Sequence, residues 1–184
     1  QSIHEYTPLQ VTSYIATVAN GGTRYATHLL HSVRTFSGEG IKSYEKTVLS
    51  TVNISSATLN TIKRGMNSMI ANSTTASWNM YTKYGIDVQV CGKSGTAQVG
   101  GGKQNCWFTA FAPMENPQIV VTSIIEKGDT GASVSAIDAA VISASIDIHH
   151  LAFFQRNGHI AVHIDVQLHT GEHIPLARDD HGLD

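Results

Sequence analysis

The residues of this sequence best suited to chemistry form the run Lys93-Ser94-Gly95-Thr96, which follows the strand-prone segment Ile86–Val90. A lysine beside two hydroxyls can hold a carboxylate, because the ammonium supplies charge and the hydroxyls donate hydrogen bonds. Gly95 lacks a Cβ, so an acyl group can lie against the backbone there. The N–H of Thr96 is then placed to donate to a developing oxyanion. The pattern indicates a carboxylate-binding strand for serine acyl transfer, although a run this short is also typical of a strand end that enters a turn.

Two further strings carry the residue types that a serine acyl-transfer site needs besides the lysine strand. They are Ser43-Tyr44-Glu45-Lys46 and Ser77-Trp78-Asn79. Ser43 lies in a strand-prone region, where Lys46 would point to the opposite pleat face instead of folding back over the serine as on a helix. Asn79 precedes Lys93 by only 14 residues, which leaves no separate helical subdomain to present it across a cleft. We interpret both strings as coincidences, so the sequence predicts half a site, without nucleophile or general base.

Helices that could support this run are predicted from capping signals and periodicity. Thr7, Pro8 and Gln10 are typical of a helix start, and Asn20-Gly21-Gly22 is typical of its end. Ser55 or Ser56 is expected to cap a second helix that ends at Asn72–Thr75. Its apolar stripe, expected to be buried at helical spacing, consists of Leu59, Ile62, Met66, Met69 and Ile70.

The strands around the run are predicted to form an antiparallel meander. Short strands and turns occupy residues 24–51. Ile86–Val90 is expected to lead as a strand into the lysine run, and Cys106–Ala112 and Gln118–Ile125 follow after turns. A helix from Ser133 or Ser135 is expected to cover one face of the sheet, through Ile137, Ala140, Val141, Ala144 and Ile148. The fold class is therefore α+β, with an antiparallel sheet flanked by helices.

Composition limits what the chain can bind. Its 184 residues, 41% of them hydrophobic, suit one ordinary core, and a net charge of −2 argues against a nucleic-acid partner. The sequence has neither a membrane span nor a signal peptide, so any membrane contact is expected to come from an N-terminal anchor outside it. Cys91 and Cys106 would lie at different levels of a hairpin, so we predict thiols without a disulfide between them.

The segment from about His149 carries seven of the ten histidines. Alternation from Ile160 to Leu168 predicts a half-buried strand. His159, His163 and His169 share strand parity and could ligate a metal, but solvated polar-face histidines explain the pattern more simply, and we predict no metal site. We divide the chain into residues 1–150 and a divergent, histidine-rich tail, residues 151–184.

Five segments, in the same order, resemble the C-terminal half of the transpeptidase domain of class B, or monofunctional, penicillin-binding proteins. They are Gln1–Gln10, Tyr14–Tyr25, Gly92–Val99, Trp107–Pro113 and Asn116–Val121. The resemblance covers roughly residues 1–150 and implies the C-terminal part of a penicillin-binding or serine β-lactamase-like transpeptidase fold. Ser94 stands where many members have threonine, a change that keeps the hydroxyl.

The resemblance also implies a function: a D,D-transpeptidase that cross-links peptidoglycan stem peptides by serine acyl transfer and is acylated by β-lactam antibiotics, without a cofactor. Lys93, Ser94, Gly95 and Thr96 would bind the substrate carboxylate, and the Thr96 N–H would join the oxyanion hole. The family's nucleophile would lie before Gln1, so the N-terminal half of the domain, or another protomer, is an expected partner. The implied location is the bacterial cell envelope, at the outer face of the cytoplasmic membrane.

Two other functions stay open at this point. The chain could be a non-catalytic binding or scaffold module of the same fold, or a self-sufficient small serine acylase that uses Ser43, Lys46 and Asn79. The missing half should also leave apolar surface uncovered. We therefore expect an oligomer, a complex with the N-terminal half, or a fold repaired by its own tail.

Overall fold

The computed structural model describes residues 5–28, 32–43, 45–128, 131–135, 138–140, 142–143, 155–156 and 159–164. Its central feature is an antiparallel sheet with helices packed against it, which confirms the predicted α+β class. Strands β5 (Cys91–Gln98), β6 (Gln104–Ala112) and β7 (Ile119–Ile125) form the predicted meander. Strand β9 (His159–Ile164) pairs with β7, and β8 (Gln155–Arg156) pairs with β9. Strand β5 therefore forms one edge of this sheet. Val166 and Leu168 of the predicted tail strand lie outside the described residues.

Helix α1 (Pro8–Ala19) begins and ends where the sequence predicts. The Thr7 hydroxyl accepts a hydrogen bond from the Gln10 N–H at 3.2 Å, and the Gln10 side chain accepts one from the Thr7 N–H at 2.9 Å. These reciprocal bonds satisfy N–H groups that have no partner within the helix. At the other end, Gly21 has a φ of 92°, a conformation that glycine adopts without strain.

Two short antiparallel ribbons follow α1, as predicted for residues 24–51. Strand β1 (Thr23–Tyr25) pairs with β4 (Val48–Thr51), and β2 (Ser32–Arg34) pairs with β3 (Gly40–Ser43). Leu29 and Leu30, which the sequence places in a strand, lie outside the described residues.

Helix α2 (Ser56–Asn72) is capped by Ser55, whose hydroxyl accepts a hydrogen bond from the Thr58 N–H at 3.1 Å. Leu59, Met66 and Ile70 of its predicted stripe are buried, and the half-buried Met69 packs against the core cluster that contains Ile70. The prediction for Ile62 is wrong, because its side chain is 37% exposed. The stripe is thus narrower than the sequence pattern indicates.

Two helical turns after α2 are absent from the sequence prediction. Helix α3 (Thr74–Ser77) and a π-helical turn (Trp78–Lys83) continue the chain. The Ser73 hydroxyl accepts a hydrogen bond from the Ala76 N–H at 3.2 Å. Ser73, which the sequence predicts only as part of the end of α2, therefore also caps α3, because one serine can end a helix and cap the next.

The prediction that Ile86–Val90 forms a strand is wrong. Strand β5 begins only at Cys91. The backbone before it bonds to irregular partners instead of a ladder: the Ile86 N–H donates to the Met80 carbonyl at 3.0 Å, and the Gln89 carbonyl accepts from the Met114 N–H at 2.9 Å. The apolar side chains Ile86 and Val90 are buried in the core from this irregular segment, so their β-branched character reflects burial and not strand pairing.

The central sheet separates two apolar layers, because successive side chains of a strand point to opposite faces. Phe108 and Ala110 of β6 pack in one layer with Ile70 of α2 and with Met80. Phe111 packs in the other layer, which α1 supplies through Ile15, Ala16 and Ala19.

Beyond β7 the chain forms a 3₁₀ turn (Gly131–Val134), and the described residues 135, 138–140 and 142–143 are helical. Ala139 and Ile142 pack in the layer of Phe108, so a helical segment covers this layer as predicted, but through other residues than the predicted stripe, whose Ala140 is only half-buried. Ile137, Val141, Ala144 and Ile148 of that prediction lie outside the described residues.

Asp138 lies fully buried in this helical segment. Neither its carboxyl oxygens nor the hydroxyl of Ser123 on β7 has a hydrogen-bond partner among the described residues. Burial raises the pKa of the Asp138 carboxyl well above its usual range, and the nearby Ser123 hydroxyl opposes this shift more weakly. The fold therefore favours the protonated carboxyl, because an ionised one would lie desolvated in an apolar layer.

We predict that Ile70→Ala destabilises the fold by about 2–5 kcal/mol, since the cavity it leaves lies in a fully buried layer. Ile62→Ala removes the same atoms from the same helix at an exposed position, and should cost under about 1 kcal/mol. Urea unfolding followed by circular dichroism measures both. Equal losses of free energy of unfolding in the two variants would show that α2 packs on the core through a face other than the one that contains Ile70.

The burial of Asp138 predicts a pH dependence. Its pKa in the unfolded chain is near 3.8, so above that pH unfolding releases a proton that the folded state holds, and stability falls as pH rises towards the folded pKa. Asp138→Asn removes this loss. The free energy of unfolding of Asp138→Asn should therefore rise relative to that of the parent as pH rises from 4 to 7.5.

The matched control for this change is Asp87→Asn, which alters the same group at an exposed position. Its difference from the parent should not follow the same course with pH. An Asp138→Asn difference that stays constant from pH 4 to 7.5 would contradict the assignment of Asp138 as a buried acid.

Candidate functional site

The four predicted site residues lie together on the edge strand β5. Lys93 and Thr96 are exposed, while Ser94 and Gly95 are half-buried. The register of β5 against β6 is continuous and pairs Lys93 with Thr109 and Gly95 with Trp107. Among the described strands, β6 pairs with one side of β5 and none pairs with the other side, along the Lys93–Thr96 run. The run can therefore meet a ligand with both its side chains and its backbone.

Helix α2 holds the start of this strand. The Asn67 side-chain amide donates a hydrogen bond to the Val90 carbonyl at 2.9 Å, and the Cys91 thiol donates to the Lys63 carbonyl at 3.3 Å. A Cβ on Gly92 would lie 2.6 Å from the Ile70 side chain, so the helix packs directly on the strand backbone. Sequence reasoning missed Asn67, whose only signal is a polar residue beside the apolar stripe of an amphipathic helix.

The lysine and the threonine of the run also make local hydrogen bonds. The Lys93 ammonium donates to the Ser94 carbonyl, a contact between exposed groups that a bound carboxylate can replace. The Thr96 hydroxyl accepts a hydrogen bond from the Gly131 N–H at 3.1 Å, which leaves its own O–H as a donor. Both side chains thus keep donors for an anionic ligand.

Cys91, two residues before Lys93, is not a nucleophile in this arrangement. Its side chain is buried, and burial raises the pKa of the thiol to about 12 against the opposing effect of Lys63. The thiolate is the reactive form of cysteine, so this group stays protonated and inert. Cys106 is buried as well, and no disulfide joins the two, as predicted.

The other candidate catalytic residues do not gather around Lys93. Ser43 ends strand β3 and is exposed, where a residue three positions on cannot fold back over it as on a helix. Asn79 is buried in the π-helical turn, and its amide donates to the Ser135 hydroxyl at 2.8 Å. Its side chain therefore serves an internal contact between two helical segments.

In the part of the chain that the structure describes, no cluster of three or more His, Cys, Asp or Glu side chains could hold a metal ion. Backbone pairing places His163 opposite Val121 of β7, and His169 lies outside the described residues. None of the helices formed by the described residues is long and apolar enough to cross a membrane.

Comparison with known proteins identifies the family. The profile of the penicillin binding protein transpeptidase domain matches residues 1–146. Penicillin-binding protein 2B of Streptococcus pneumoniae is 30% identical over 128 residues, which are 65% of this chain and 19% of that protein. The peptidoglycan D,D-transpeptidase MrdA of Haemophilus influenzae is 34% identical over 151 residues, 71% of this chain and 22% of MrdA. The chain thus spans about a fifth of the length of these relatives.

Solved structures agree with this match. Penicillin-binding protein A from Mycobacterium tuberculosis superposes with a TM-score of 0.68 at 27% identity, covering 79% of this chain and 36% of that one. Its imipenem acyl-enzyme complex gives a TM-score of 0.67 at 26% identity, covering 79% of this chain and 32% of that one. The D,D-transpeptidase domain from Eggerthella lenta gives a TM-score of 0.64 at 26% identity, covering 78% of this chain and 32% of that one.

Proposed function

We propose that this chain, which belongs to the penicillin-binding protein transpeptidase domain family, forms the carboxylate-binding side of a D,D-transpeptidase site that cross-links peptidoglycan stem peptides. The observation that carries the proposal is the Lys93–Thr96 run, with Lys93 and Thr96 exposed, on a strand that forms the edge of the described sheet and is held at its start by α2. Within family members of this kind, acylation by a β-lactam is known from the imipenem complex of penicillin-binding protein A. We extend that chemistry to the complete domain of which this chain would be a part.

Each residue of the run has a role in this proposal. The Lys93 ammonium attracts the substrate or β-lactam carboxylate, and the hydroxyls of Ser94 and Thr96 donate hydrogen bonds to it. Gly95 lets the acyl group approach the backbone. The N–H of Thr96 donates to the oxyanion that develops when a serine attacks the carbonyl.

The nucleophilic serine is assigned to the N-terminal half of the domain, because the two serine strings of this chain that carry the residue types of such a site lack its geometry. Ser43 lies on a strand, and Ser77 lies beside the internally bonded Asn79. A serine needs a neighbouring base to lose its proton at neutral pH. This chain would therefore be inactive alone and active only with that half, supplied within one polypeptide or by another protomer.

Location and domain limits complete the proposal. Relatives such as MrdA are peptidoglycan transpeptidases, and such chemistry takes place in the bacterial cell envelope. We place this chain there, at the outer face of the cytoplasmic membrane, with any anchor supplied by residues outside it. Residues 1–150 would form the C-terminal half of the transpeptidase domain. Residues 151–184 would form a divergent tail, whose strand β9 pairs with β7.

The test uses a joined domain, in which the nucleophile-bearing residues of a relative such as MrdA precede this chain. Lys93→Ala should slow acylation by penicillin roughly 10- to 100-fold, the equivalent of about 1.5–3 kcal/mol for a charge-assisted hydrogen bond. Stopped-flow or mass-spectrometric acylation rates provide the measurement.

Lys103→Ala is the matched control, because it removes the same charge from the exposed β5–β6 turn. It should leave the rate within about twofold of the parent, in the manner of a screened surface charge. If the two alanine variants acylate equally fast, Lys93 has no part in the site.

A further inference from the structure

The 3₁₀ turn Gly131–Val134 lies against the backbone of β5 and β6 at the pair formed by Gly95 and Trp107. A Cβ added to Gly131 would lie 2.4 Å from the Gly95 carbonyl oxygen and 2.9 Å from both the Gly95 nitrogen and the Trp107 carbonyl oxygen. These are backbone atoms, which cannot rotate away as the end of a flexible side chain does. Only a glycine fits where this turn meets the sheet.

The same glycine makes a hydrogen bond to the proposed site. Its N–H donates to the Thr96 hydroxyl oxygen at 3.1 Å. Gly131 is itself buried, whereas Thr96 is exposed, so the bond ties an exposed site residue to a buried part of the fold. An oxygen that accepts at one position presents its own O–H in the remaining directions, so this bond fixes the Thr96 oxygen and leaves the hydroxyl available as a donor.

Gly131 and α2 therefore bracket the run from its two ends. Helix α2 holds Val90 and Cys91 before Lys93, and Gly131 holds Gly95 and Thr96 after it. Between these supports, no strand in the part of the chain that the structure describes pairs with the outer edge of β5. The position of the run thus depends on packing from the face of the sheet.

The structure also indicates which of the two strands, β5 or β6, would move if a methyl group were added to Gly131. Strand β6 is paired on both sides, with β5 and with β7, and its centre is buried. Strand β5 is paired on one side only and is exposed from Ala97 onward. A clash at Gly131 would accordingly displace Gly95 and Thr96 more than Trp107.

We propose that Gly131 is a positioning residue for the carboxylate-binding strand: its lack of a Cβ and its N–H together fix the Gly95–Thr96 backbone and the Thr96 hydroxyl for substrate. This inference rests on the function proposed above. It adds a residue 35 positions beyond Thr96 in sequence, in a turn that no motif of the sequence marks as part of the site.

The experiment compares acylation of the joined domain by penicillin and by penicillin methyl ester. The ester lacks the anionic carboxylate, so the ratio of the two rate constants measures how well the strand recognises that group. Gly131→Ala should lower this ratio roughly tenfold, since a displacement of about 1 Å can cost up to about 100-fold in rate. A variant that merely unfolds part of the protein slows both substrates equally and leaves the ratio unchanged.

Three control variants separate the two contributions of Gly131. Gly65→Ala makes the same substitution in α2, where an added Cβ meets no atom within 4 Å, and should keep the parent ratio. Thr96→Val removes the acceptor of the Gly131 N–H and should lower the ratio, while Thr96→Ser keeps a hydroxyl and should retain most of it. Thr96→Val adds nothing to the turn, so it tests the proposal even if Gly131→Ala does not fold.

The outcomes are distinct. A parent that is acylated, with the same ratio in Gly131→Ala, would overturn this inference and leave the proposed function standing. The same ratio in Thr96→Val would overturn the inference and would also remove the Thr96 hydroxyl from the proposed carboxylate site. A parent that is not acylated at all would contradict the proposed function and, with it, the inference that rests on it.

Discussion

The pairing of β5 with β6 is the interaction on which the rest of the structure depends. Strand β5 contains two glycines, a lysine and two small hydroxyl residues, a composition with little tendency to form a strand by itself. Its eight residues are nevertheless matched one to one with β6, whose Phe108 and Phe111 anchor the two apolar layers. Strand β6 therefore imposes an extended conformation on residues whose types favour binding over strand formation.

This arrangement explains why the site can be both exposed and ordered. The lysine and the two hydroxyls proposed to meet a ligand lie at exposed or half-buried positions, so they contribute little to the core. Their position is set instead by backbone contacts, from Asn67 and Cys91 at one end and from Gly131 at the other. Glycines at 92 and 131 allow the helix and the turn to approach the strand that closely.

Much of this could be predicted from sequence, where the signal is local. The caps at Thr7 and Ser55 and the meander strands Cys106–Ala112 and Gln118–Ile125 depend on neighbouring residues, and the structure confirms them. Ile86–Val90 was mistaken for a strand because buried irregular backbone and buried strand use the same β-branched residues. The roles of Asn67 and Gly131 depend on contacts 23 and 35 residues apart in sequence, which no local pattern encodes.

We propose that this chain supplies the carboxylate-binding half of an acyl-transfer site and not its nucleophile. Labelling by a fluorescent penicillin tests this division on the chain alone, on a separately made nucleophile-bearing half, and on the two mixed. We expect no covalent label on this chain, and label on the nucleophile-bearing half only when this chain is present. Stoichiometric label on this chain that is lost in Ser43→Ala would contradict it.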